Sequence, residues 1–196
     1  MGIQDREHLE VKSLRTLAAW YSKNHSKSPG LWVVTYKKSA GEPAPTYDEL
    51  VRLALCYGWI DSVPGKVDEL RTKLYFSPRK KGSGWSASNK ARIKELLASG
   101  KMKAPGLKVL EQAKADGSWN KLDSSESATV PKDLIAAFRK HPGSKANFDA
   151  FPAGVRKQIL QWIDQAKTAP TREKRITETA SLAAENIRAN QWRDKK

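Results

Sequence analysis

The sequence predicts an α+β fold, mainly helical. Helices surround a small β-sheet in residues 1–120, and an all-helical module fills 130–196. Three observations carry this. Apolar residues recur at helical spacing through most of the chain. β-branched and aromatic residues crowd Leu31–Tyr36 (LWVVTY) and return more weakly at Trp59-Ile60 and Arg71–Ser77. A polar, serine-rich run at 118–129 (SWNKLDSSESAT) reads as a linker, and no strand signal follows it.

In chain order, residues 5–24 read as a helix with Val11, Leu14, Leu17, Ala18 and Tyr21 on its apolar stripe, stopped by Ser28-Pro29-Gly30. Leu31–Tyr36 is apolar on both faces, as expected of a central or doubly covered strand. Residues 39–45 read as a loop. Thr46 and Glu49 match a capping box, in which each side chain satisfies a backbone N–H at the helix start. That helix places Leu50, Leu53, Ala54 and Tyr57 inward, and Gly58 suits the left-handed position that ends it. Trp59-Ile60 follows as a short strand, and Pro64-Gly65 as a turn. Arg71–Ser77 is a strand that pairs with 59–62 or with 31–36. Ser86–Ser99 is a helix with Ile93, Leu96 and Leu97 inward, ended by Gly100. Pro105–Asp116 is another, with Leu107, Leu110 and Ala113 inward, ended by Gly117.

Beyond the linker, Pro131 starts a helix carrying Leu134, Ile135 and Phe138, broken at Pro142-Gly143. A short helix holds Phe148 and Phe151. Pro152 opens a helix with Val155, Ile159, Trp162, Ile163 and Ala166 on one face. A last helix, from about Thr171, has Ile176, Ala180, Ala183 and Ile187 as its stripe.

The 196 residues carry 36 Lys+Arg against 21 Asp+Glu, a net charge of +15, which favours nucleic acid, acidic proteins or anionic surfaces as partners. The excess is uneven. Residues 1–120 hold 21 basic against 12 acidic residues, net +9, and residues 121–196 hold 15 against 9, net +6. Residues 71–94 alone supply +8: Arg71, Lys73, Arg79, Lys80, Lys81, Lys90, Arg92 and Lys94, with no acid among them. Tyr75, Phe76 and Trp85 are interleaved.

Within this stretch, Gly82-Ser83-Gly84 leads into a helix start at Ser86. A helix N-terminus offers unpaired N–H groups and the positive end of the macrodipole. The candidate anion site is therefore Arg79, Lys80, Lys81, Ser86, Asn89 and Arg92, with the two arginines as fork donors. Asp61 is a supporting residue, able to orient an arginine, to pair structurally or to act as a base. Trp85 either anchors the loop or stacks on a base or sugar.

No catalytic constellation stands out. His8 falls in the first helix, His25 just after it and His141 at a helix end, and none neighbours a nucleophile in a recognised order. One cysteine and three scattered histidines give no metal-ligand spacing, and no Walker A motif is present, so no metal or cofactor is expected. Cys56, in the apolar run LALCYGW, reads as a core thiol and allows no disulfide within the chain. No apolar run is long enough to cross a bilayer. The first residues, MGIQDREHLEVKSL, lack the apolar core of a signal peptide, so cytoplasm is the default expectation. Trp59, Trp119 and Trp162 read as core.

Several motifs carry a resemblance. ALCYGWID (Ala54–Asp61), FSPRKKGSGWSASNKARIKEL (Phe76–Leu96), GKMKAPGL (Gly100–Leu107), AKADGSW (Ala113–Trp119), and VPKDL (Val130–Leu134) through TAPTREKRI (Thr168–Ile176) resemble the YdeI/OmpD-associated, "bacteriocin-protection" family. The C-terminal part is similar to its OmdA domain. The resemblance implies a link to bacteriocin protection or to an outer-membrane porin, and implies no established reaction. The family's recurring polar positions correspond here to Asp61, Arg79, Ser86, Asn89 and Arg92.

Three classes of function follow from the residues and the resemblance. One is a non-enzymatic binder of nucleic acid or another polyanion through residues 71–94. A second is an enzyme or sensor for a small phosphorylated or carboxylated ligand at the Ser86 helix start. A third is a protein-interaction module in stress or bacteriocin defence.

Overall fold

The computed structural model describes residues 2–123 and 129–191. Residues 124–128 of the expected linker and 192–196 of the expected helical module lie outside the described residues. The chain divides into two compact units: Met1–Ser83 with Ser88–Trp119, and Gly84–Ala87 with Asn120–Lys196.

In chain order the described residues form β1 (His8–Glu10), α1 (Leu14–Asn24), β2 (Leu31–Tyr36), α2 (Tyr47–Cys56), β3 (Trp59–Lys66), β4 (Arg71–Pro78), α3 (Ala87–Ala98) and α4 (Ala104–Ala115). Then come α5 (Lys132–Arg139), α6 (Ser144–Ala150), α7 (Ala153–Asp164) and α8 (Ala169–Ala184). Short 3-10 turns occupy Ile3–Asp5 and Lys38–Ala40. Among the described residues, eight helices and a four-stranded mixed sheet make the fold α+β and mainly helical.

The sheet order is β1-β2-β4-β3. β2 is internal, with Leu31–Thr35 all buried, as its two apolar faces require. β1 runs parallel to it, and β4 pairs antiparallel with both β2 and β3. Arg71–Pro78 thus takes both of the partners open to it in the sequence.

The N-terminal reading is corrected. Residues 6–13 are not helical. His8–Glu10 is a strand, its ladder extended by Trp32 N–H to Glu7 O at 2.9 Å and Val11 N–H to Val34 O at 2.8 Å. His8 therefore belongs to a strand, and Val11 is buried beside β2 rather than on a helix. The helix begins only at Leu14, burying Leu17, Trp20 and Tyr21.

Thr46 and Glu49 cap α2 reciprocally: Glu49 N–H donates to Thr46 Oγ1 at 3.3 Å and Thr46 N–H to Glu49 Oε2 at 2.8 Å. The helix is packed by α1, β3 and α4, so Val51, Leu55 and Cys56 are buried along with Leu50 and Ala54, while Leu53 and Tyr57 are half-buried. Gly58 ends it at φ 75°. Gly106 lets α4 approach closely, since a Cβ there would sit 2.4 Å from Cys56 O.

β3 runs through Pro64-Gly65 instead of turning there. A bulge between Asp61 and Pro64 absorbs one residue, and this edge strand tolerates a proline without an N–H to donate. The turn falls later, where Asp68 Oδ1 accepts from the N–H groups of Leu70 (3.0 Å) and Arg71 (2.7 Å). In α3, Ile93 and Leu96 are buried but Leu97 is 43% exposed; in α4, Leu110 and Ala113 are buried but Leu107 is exposed. Each exposed leucine lies about 100° around the helix from its buried neighbour's stripe. α3 ends in a Schellman turn at Gly100 (φ 64°), with Lys101 N–H donating to Leu96 O at 3.0 Å.

The second unit packs α5, α6 and α7 against α8. Its core joins Leu134, Phe138, Phe148, Phe151, Ile159, Leu160, Ile163, Ile176, Ala180 and Ala183. Arg172 ties α5 to α7 by donating to Asp133 (2.7 Å) and Asp164 (3.2 Å). α8 stops before Ile187. Asn186 takes φ 56°, and Ile187 N–H returns to Leu182 O at 2.8 Å, so the expected last member of the stripe lies past a Schellman turn. In Gly84–Ala87, Gly84 lies on Leu122, where a Cβ would come within 2.5 Å of Leu122 Cγ.

Candidate functional site

The acid-free stretch is not acid-free in space. Arg71 pairs with Glu10 (3.0 Å) and Asp68 (2.7 Å). Lys73 Nζ lies 4.4 Å from the Trp32 ring centroid and donates to His8 Nε2 at 3.2 Å. Arg92, mostly buried on α3, donates from Nε to Asp48 Oδ1 at 2.8 Å and from Nη1 to Asn89 Oδ1 at 2.9 Å. Asp48 also accepts from Arg52, which reaches Glu95 at 2.7 Å. The hydrogen bond from Arg52, and then that from Arg92, holds the Asp48 carboxyl below its ordinary range.

Arg79 follows β4 directly and continues its ladder, Arg79 N–H to Gly58 O at 3.0 Å. Burial pulls its guanidinium down to about 10, and the Asp61 carboxylate partly offsets that. The group remains a cation at neutral pH. Asp61, on β3, accepts from Tyr47 Oη at 2.8 Å. Burial, and then this hydrogen bond to Asp61, pushes the Tyr47 phenol up to about 12. The Tyr47 ring lies 5.9 Å from the Arg92 guanidinium carbon. Tyr21 completes the cluster: its fully buried hydroxyl has no hydrogen-bond partner among the described residues, and burial, with Asp61 nearby, drives its pKa up.

Among the sequence-predicted residues, the first unit thus joins Asp61, Arg79, Asn89 and Arg92 in one network. Tyr47, Asp48, Arg52, Glu95 and Tyr21 complete it and were not legible as site residues. Asp48 and Arg52, spaced i,i+4 after a helix cap, were the signal available. Arg92 takes Asp48, not Asp61, as its carboxylate, and two of its three nitrogens are already engaged. Chemically this is a charge-compensated scaffold.

Lys80 and Lys81 stand exposed on the loop. Ser83 Oγ closes that loop on Lys80 O at 2.6 Å, and Gly82 N–H donates to the Asp116 carboxylate at the end of α4. Ser86 directly precedes α3 and is half-buried in the second unit. Trp85, in the same segment, is only 2% exposed, so its ring is not presented for stacking. Trp59 is core, but Trp119 and Trp162 are half-buried, with cations over their rings: Lys90 at 5.0 Å and Lys114 at 6.0 Å on Trp119, and Arg175 at 4.9 Å on Trp162. Cys56 is buried, and desolvation raises its thiol pKa. Among the described residues no group of three or more His, Cys, Asp or Glu could hold a metal, and no helix is long and apolar enough to cross a membrane.

Fold and network together define a two-unit α+β protein, with a mixed-sheet unit that carries an arginine–carboxylate network and with a helical module. The chain belongs to the family described as Domain of unknown function (DUF8412), whose model matches residues 9–109, from β1 into α4. Residues 127–186 match the family described as Bacteriocin-protection, YdeI or OmpD-Associated (OmdA). The motifs between Ala54 and Leu107 that resemble the latter family therefore fall in the segment matched by the former. No curated protein and no solved structure matches the chain.

Proposed function

We propose that this protein is a non-enzymatic, cytoplasmic binder of a polyanion, nucleic acid foremost, contacting it through the exposed lysines of residues 71–94. One observation carries the reading. Once Arg71, Arg79 and Arg92 have met their carboxylates, the stretch still presents Lys80, Lys81 and Lys94 at the surface, outside any ion pair among the described residues. Exposed cations are the ones able to release counterions from phosphates. The lone, buried thiol fits a reducing compartment. The description of the family matched by residues 127–186 supplies a biological setting, bacteriocin protection.

The test is affinity for DNA, RNA and heparin over a salt series. Log K should fall with log salt by about 0.9 for each duplex phosphate neutralised. An absence of binding at low salt overturns the reading.

A further inference from the structure

A groove of the first unit runs between α3 and α4, lined by Lys90, Lys94, Leu97, Leu110, Lys114 and Trp119. Its composition is layered. Leu97 and Leu110 give an apolar floor, the half-buried Trp119 indole gives an aromatic wall, and three lysines supply the rim. Lys94 and Lys114 make no ion pair among the described residues, and the Lys90 and Lys114 ammonium groups lie 5.0 and 6.0 Å from the Trp119 ring centroid.

Duplex nucleic acid offers a groove of this kind only phosphates, since its bases are stacked inside. A single strand offers both phosphates and free base faces. Resting on the polyanion reading above, we infer that this groove is a single-strand nucleic-acid site in which a base stacks on Trp119 while Lys94 and Lys114 take the flanking phosphates. The Lys114 ammonium, 6.0 Å from the ring centroid, is on a flexible four-carbon stem and can swing to a phosphate as a base approaches the indole. The apolar floor suits the edge of a base and repels nothing in it. A duplex, whose bases are stacked inside, gains none of this stacking.

The experiment uses the full chain with an oligothymidylate, a DNA duplex of the same length, and heparin, a polyanion without bases. The oligothymidylate should bind more tightly than either at equal ionic strength. Trp119→Ala should weaken it about 5- to 100-fold, Trp119→Phe far less, and both should leave heparin unchanged. Lys94→Gln with Lys114→Gln, both on exposed side chains, should flatten the single-strand salt slope by about 1.4, or 0.7 for each contact. If Trp119→Ala does not fold, that lysine pair and the order of the three probes decide. Equal affinity for all three probes, or an unchanged slope in the lysine variant, overturns the stacking site while polyanion binding stands. Binding to none of the probes overturns both.

Discussion

Arg71, Arg79 and Arg92 each face a carboxylate brought from outside residues 71–94, whereas Lys80, Lys81 and Lys94, drawn from the same stretch, face water. The division follows side-chain chemistry. A planar guanidinium is weakly hydrated and can serve two acceptors at once, as Arg92 serves Asp48 and Asn89, so it can be drawn inward at tolerable cost. An ammonium is strongly hydrated and stays outside. The difference teaches that a run of basic residues is not one feature. Its arginines engage carboxylates, and three of its lysines stand exposed.

The largest effect should come from the arginine side. Asp61→Ala removes the charge that offsets the desolvated Arg79 and the acceptor of the Tyr47 hydroxyl. Weakening the compensation of a buried cation should cost about 2–4 kcal/mol, read as a lower Tm or urea midpoint. Lys80→Ala with Lys81→Ala should stay within about 0.5 kcal/mol of the parent in the same assay. Equal losses in the two variants would erase the distinction.

The lysine side should show its effect in binding instead. Lys80→Ala with Lys81→Ala should flatten the salt slope for duplex DNA by about 1.8, or 0.9 for each lost contact. An unchanged slope would remove this loop from the interface without touching the arginine network.

How much of this was legible depends on the reach of each interaction. The capping box at Thr46 and the glycine stop at Gly100 are contained within a few residues, and both stand as read. β2 was legible because its own side chains announce burial on both faces. β1 was not: three residues long, it is a strand only because β2 lies alongside. The candidate site behaves the same way. Arg79, Asn89, Arg92 and Asp61 are recognisable by type, but the carboxylate that engages Arg92 lies 44 positions away, and no local signal links Asp48 to it. Trp119 was read as core from its size alone, which overlooks that an indole can keep one side wet under a lysine.

A smaller effect tests whether arginine itself is required. Arg92→Lys keeps the charge but cannot reproduce donation from Nε to Asp48 together with Nη1 to Asn89. It should cost about 1 kcal/mol, with Asn89, a buried amide, left short of a donor. A variant as stable as the parent would show that only the charge matters at this position.

The smallest effect is the pH dependence of the Asp48 pairing. Hydrogen bonds from Arg52 and Arg92 lower this carboxyl in the folded chain, while in the unfolded chain it sits near 3.9. A depressed folded value means that the unfolded chain binds the proton first as pH falls. The stabilisation is therefore fully present above about pH 4 and is lost as pH drops through the lower, folded value. Asp48→Asn keeps the shape and the acceptor oxygen but removes the charge. Its Tm should lie below the parent's at neutral pH, and the two curves should converge in acid once the pH has dropped through the folded value. Glu10 is lowered by Tyr36 and then by Arg71, and Asp68 and Asp133 by their own arginines, so both proteins will still lose stability in acid, and only the gap between them is diagnostic. Because Asp48 is well exposed, solvent and salt screen the pair, and the gap should shrink as ionic strength rises. A gap that stays constant from neutral pH into acid would mean that Asp48 contributes through its shape and hydrogen bonding alone. The arginine side of the stretch would then owe less to charge than the lysine side does.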